Sequence, residues 1–159
     1  MRTCALFLGL CLAANLVGCA VPGPEATNTV RAADGLAVSI ETAKRAFVAG
    51  ERLNVLVTAK NHGGAKTIGA VSGAPAYVRL LQHVGIGWEE VRRYPETEMM
   101  VISPWQLEAG QKRQFILPLT VEPDWPVGEL LRLTAELNGR PDVAPGVVIE
   151  VLPGGEGGE

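Results

Sequence analysis

The chain's strongest constraint on its own fold is a strict alternation of apolar and polar residues in short runs, each cut by turn-forming residues. Leu36, Val38 and Ile40 alternate, and so do Leu53, Val55 and Val57 within a run over 52–60. Val78, Leu80 and Val84 share one parity in 76–84, with Tyr77, Arg79 and Leu81 on the other. The same period returns in Phe115, Leu117, Leu119 and Val121, in Leu131, Leu133, Ala135 and Leu137, and in Val147, Ile149 and Val151. A period of two puts each apolar set on one face of an extended strand. Shorter strands are expected over 88–93 and 98–102, which makes about eight. Ala49-Gly50, His62-Gly63-Gly64, Gly73-Ala74-Pro75, Ala109-Gly110, Pro126-Val127-Gly128 and Asn138-Gly139 supply the reversals between them. The run Leu130 to Leu137 has helix-forming residues, but its alternation and its Gly128 and Asn138-Gly139 brackets favour a strand. No alternation of strand with helix is visible, which argues against an α/β fold. Strands with one apolar face each bury those faces by pairing sheet on sheet, so an all-β, antiparallel β-sandwich of seven or eight strands is expected over 36–152.

The N-terminus reads as an address. Met1-Arg2-Thr3 carries a positive charge, and Cys4 through Val17 is an almost unbroken apolar run. Its length of about 14 residues falls short of the ~20 that span a bilayer, and it fits the apolar region of a secretory signal. It ends in Leu16-Val17-Gly18-Cys19, which resembles the lipobox of bacterial lipoproteins. That resemblance implies a signal peptide over 1–18, cut between Gly18 and Cys19. It also implies a diacylglycerol thioether on Cys19 and a further acyl chain, such as palmitate, on its amine. Two or three acyl chains anchor a protein stably, where one is marginal. Ala20 stands where lipoproteins retained in the inner membrane tend to carry Asp. The implied location is the cell envelope, at the periplasmic face of the outer membrane if the organism has one. No later run approaches the length of a membrane span.

Residues 19–35 are expected to be the lipidated cysteine and a flexible Pro/Gly/Ala/Thr-rich tether, with a coil span of roughly 20–24 Å. Residues 153–159 are expected to be a flexible acidic tail. The domain between them resembles a known group in its turns. Phe47-Val48-Ala49-Gly50-Glu51 is similar to the turn that opens the second strand of many bacterial immunoglobulin-like modules, and Asn61 stands at the strand's exit as it does there. Leu107-Glu108-Ala109-Gly110-Gln111 and the Pro126-Val127-Gly128 turn continue the likeness. Order and spacing resemble the intracellular proteinase inhibitor family of bacilli. The resemblance implies an immunoglobulin-like sandwich, and one rival function, a loop offered to a protease.

Residues suited to catalysis are scarce. All three cysteines lie in the first 19 residues, so the domain has no disulfide and no thiol nucleophile. Serine in the mature chain is limited to Ser39, Ser72 and Ser103, and Ser72 misses a nucleophile-elbow pattern by one position. His62 and His83 lack metal-ligand spacing, and Asp34, Asp124 and Asp142 are isolated, so no metal site is expected. Glu89 and Glu90 are adjacent in a strand and point to opposite faces, while Glu96 and Glu98 read as a solvated edge. A formal charge of −3 argues against nucleic-acid binding. No cofactor is expected beyond the lipid on Cys19, and no enzyme activity.

The aromatic residues are then the candidates for binding. Trp88 follows a glycine turn, where core packing is the default alternative. Trp125 sits between Pro123 and Pro126 in a loop, where a held indole suits a contact residue and capping the open end of the sandwich is the default alternative. Tyr94, near Arg92 and Arg93, marks a weaker patch. The expected function is a lipid-anchored, non-catalytic contact module of the bacterial envelope. It is held to the membrane by Cys19 and meets another envelope protein through loops around Trp88 and Trp125. The rivals are the proteinase inhibitor and a glycan-binding module using exposed tryptophans.

Overall fold

Alternating apolar residues become strands that pair into two stacked sheets. The computed structural model describes residues 26–69, 74–96 and 104–154, and every regular element among them is a β-strand. In chain order these are β1 (Ala26–Arg31), β2 (Leu36–Thr42), β3 (Ala46–Val48), β4 (Arg52–Asn61), β5 (Lys66–Ile68) and β6 (Ala76–Val84). β7 (Gly87–Tyr94), β8 (Trp105–Leu107), β9 (Lys112–Thr120), β10 (Leu130–Leu137) and β11 (Gly146–Leu152) complete the set. One sheet has the order β1-β2-β4-β9 and the other β3-β11-β10-β6-β7, with β5 and β8 forming a small third sheet. The strand order and the switch of the chain from β2 in one sheet to β3 in the other make an immunoglobulin-like sandwich.

The core lies between the two large sheets. Val38, Ile40, Val55 and Val57 from one face Val78, Leu80, Leu131, Leu133 and Ile149 from the other, and each is 1% exposed or less. Burying each of these side chains contributes roughly 1.5–3 kcal/mol. Outward residues on the same strands, such as Asn54, Glu150 and Lys60, are solvated.

Three expectations need correction. Residues 26–35 are not part of a flexible tether, because Ala26–Arg31 is a strand paired with Ala37–Thr42 of β2. Its sequence, Ala-Thr-Asn-Thr-Val-Arg, has too few apolar residues to show alternation. The β2 ladder holds it, together with buried Ala26 and a hydrogen bond from Asn28 Nδ2 to the Gly146 carbonyl (2.8 Å). Pairing is also not purely antiparallel, since β3 lies parallel to β11. β2 and β3 run on in one direction as the chain crosses between sheets, so β3 meets β11 heading the same way. Finally, β1, β3, β5 and β8 add to the strands expected from the alternation; three of them have only three residues, too few to display a period. The strand expected over 98–102 lies outside the described residues, as do the signal peptide, Gly18, Cys19 and most of the tail.

The register defines two poles. At one, the ends of β3, β9 and β11 and the starts of β4 and β10 come together beside the β6–β7 hairpin. At the other lie the β1–β2 turn with Asp34, the exit of β4 at Asn61, and the turn at Arg140.

Candidate interaction surface

The β6–β7 hairpin turns through Gly85 and Ile86, between paired Val84 and Gly87. Gly85 has φ of 59° and Ile86 a negative φ, the pattern of a type II′ turn with glycine in its first central position. That turn sets the register in which His83 pairs with Trp88, both on the outward face of the five-stranded sheet. Their rings meet edge to face at 5.2 Å. Arg132, on the outward parity of β10, brings its guanidinium to 5.8 Å from the Trp88 ring centroid. It lies across β11 at Gly146, where any Cβ would collide with Arg132 Nε. Trp88 is therefore half-buried and backed by a cation, a contact worth about 0.5–1 kcal/mol at such a site. Leu130 (52% exposed) on β10 and Val148 on β11 lie on the same outward face and line an open depression of about 410 Å³ with Arg45, Glu129 and Glu150. The face offers an indole and two aliphatic side chains framed by charges of both signs.

Trp125 is elsewhere. It is 2% exposed, so it is no surface contact residue. The turn Glu122-Pro123-Asp124-Trp125, closed by a hydrogen bond from the Trp125 N–H to the Glu122 carbonyl (3.1 Å), drives the indole inward. There it fills the seam between the sheets. Its Nε1 donates to Tyr94 Oη (3.2 Å), and the rings lie 6.3 Å apart. Arg92 and Asp124 close over the pair with an ion pair of 2.7 Å. Burial pushes the Tyr94 hydroxyl above its ordinary pKa, against the Trp125 hydrogen bond. Tyr94 is thus a half-buried packing residue, although its ring also borders an apolar groove of about 540 Å³ between β9 and the β6–β7 pair. The candidate residues do not form one patch: Trp88 is on the outer face, and Tyr94 and Trp125 are in the seam. Trp105 is buried too and packs edge-on against Phe115 at 5.5 Å.

Other titratable groups are held in structural pairs. Asp34 accepts the Leu36 N–H (3.1 Å) and faces the Arg140 guanidinium (3.0 Å), which together lower its pKa to about 2. Arg140 also grips Asp142 through Nε (2.9 Å) and Nη2 (2.8 Å). Glu89 pairs opposite Gln82 and Glu90 opposite Leu81, on opposite faces as the alternation requires. Among the described residues no group of three or more His, Cys, Asp or Glu side chains is placed to hold a metal ion. Ser72 and Glu98 lie outside the described residues.

Arg132, Leu130 and Val148 were missed as surface residues by sequence reasoning. The signal for Leu130 was present: in the Leu130-Leu131 pair one leucine must fall on the outward parity. Arg132 gave no signal, because its approach to Trp88 passes over β6, a strand some fifty positions away in the chain.

No family model matches the chain, and no curated protein matches it. Solved structures do share its architecture. The sporulation control protein Spo0M of Bacillus subtilis superposes with a TM-score of 0.52 at 16% identity, over 82% of this chain and 50% of that one. The chain thus spans about half the length of that protein, and the likeness is one of fold. A β-glucosidase of Listeria innocua in complex with gluconolactone superposes with a TM-score of 0.41 at 18% identity, over 81% of this chain and 16% of the enzyme. The same enzyme in complex with isofagomine gives 0.42 at 18% identity, over 82% and 16%.

Proposed function

We propose that this chain is a lipid-anchored, non-catalytic interaction module of the bacterial cell envelope, related in its turn motifs to the intracellular proteinase inhibitors of bacilli. The observation that carries the reading is the outward face of the five-stranded sheet. There Trp88, held by His83 and Arg132, shares one face with exposed Leu130 and Val148. An aromatic anchor with a cation behind it and a charged rim is the composition of a protein contact site. The Leu16-Val17-Gly18-Cys19 motif supplies the anchor. Confinement at the membrane raises the effective concentration of a partner in the same envelope, so a modest face suffices.

In-cell crosslinking of the lipidated chain, followed by mass spectrometry, tests this. One dominant protein adduct is expected, lost with Cys19→Ala and reduced with a folded Trp88→Ala chain. Absence of any protein adduct overturns the contact function and moves the weight to glycan binding. An adduct with a protease instead makes the chain an inhibitor.

A further inference from the structure

We infer that the pole bearing the β6–β7 hairpin rests on the lipid surface, with Ile86 immersed in it. The inference rests on the lipid anchor proposed at Cys19. Ile86 is fully exposed at the hairpin tip between two glycines, and Val48, Val84, Val127 and Leu152 are exposed large hydrophobics of the same pole. Five such residues gather where the ends of β3, β6 and β11 meet the start of β10. The opposite pole is closed by the charged cluster of Asp34, Lys66, Arg140 and Asp142.

The chain's entry selects the lipid as occupant. Ala26 pairs with Thr42, and β1 runs away from the hairpin pole, so the chain enters β1 at that pole. Cys19 precedes Ala26 by seven residues, a contour of at most about 25 Å. Acyl chains on Cys19 therefore hold the hairpin pole next to the bilayer. A two-residue turn with an aliphatic side chain at its apex is a protrusion, which a fluid acyl boundary accommodates without a matching pocket. Once the anchor has localised the chain, a small apolar contact is enough to fix its orientation. The charges of this pole are of both signs, with Lys44, Arg45 and Arg52 beside Glu51, Glu129 and Glu150, so the contact is apolar and not electrostatic. It is expected to persist at high salt.

The test uses the full lipidated chain in phosphatidylcholine vesicles, spin-labelled at Ile86→Cys, at Val127→Cys or, on the opposite pole, at Ala109→Cys. The ratio of oxygen to aqueous-chelate accessibility is expected to be several-fold higher at 86 and at 127 than at 109. If the chain floats with the vesicles and all three labels remain equally open to the chelate, the orientation is overturned and the anchor stands. A chain that fails to float overturns both. A label at 86 that is shielded only when an envelope protein is added assigns the pole to a protein, and likewise overturns the lipid contact.

Discussion

Asn61 shows how a single polar side chain organises one pole. It is fully buried, and its amide donates to the carbonyls of Gly64 (2.7 Å) and Leu107 (2.8 Å) while accepting the Gly63 N–H (2.9 Å). One residue thus closes the turn after β4 and ties it to β8. Asn61→Ala would strand three backbone groups, and a loss of about 2–4 kcal/mol is expected in chemical denaturation. Trp125→Ala empties the seam under Arg92 and Asp124, for an expected loss of about 3–5 kcal/mol. Asp34 gives the domain an acid limit. Its folded pKa of about 2 lies below the unfolded 3.8, so its stabilisation is fully present above about pH 4 and is lost as pH falls through about 2. With the side chain 45% exposed, solvent screening leaves on the order of 1 kcal/mol or less. Acid unfolding of Asp34→Asn is expected to start from lower stability and show a shallower decline between pH 4 and 2; a decline identical to that of the parent chain would contradict this.

Among the elements, β1 carries the clearest consequence. It covers the edge of β2 that would otherwise present unpaired backbone groups to another chain. A soluble domain begun at residue 33 is expected to unfold at lower denaturant and to aggregate faster than one begun at residue 20. Equal behaviour of the two would show that the β1 ladder contributes nothing. The strands with three or more alternating apolar residues, β2, β4, β6, β9, β10 and β11, were legible because each repeats its period long enough to be recognised. β7 was legible from its glycine turn. β3, β5 and β8 were not, since a three-residue strand has no period, and β1 was not, since its partner supplies what its own side chains lack. Within the candidate surface, Trp88 was legible as an aromatic next to a turn. Its outward orientation was not, because it depends on the register that the Gly85-Ile86 turn imposes.

At the scale of the molecule, the two poles differ in chemistry, and the chain enters by way of the apolar one. Membrane attachment should depend on Cys19 alone: Cys19→Ala is expected to move the protein from the membrane fraction to the soluble fraction with its β-type circular dichroism unchanged. Continued sedimentation with membranes would contradict the anchor. The strand period, the places where the chain reverses and hence a two-sheet sandwich are legible along the chain, because alternation and turn chemistry are local. The tertiary arrangement settles that Trp125 packs inside while Trp88 stays out, that the Arg132 guanidinium meets the Trp88 ring, and that exposed aliphatic residues share a pole with the chain's entry. Alternation fixes a side chain's face only relative to its own strand. Which face is covered, and what lies beside it, follows from pairings between residues tens of positions apart, which no local pattern encodes.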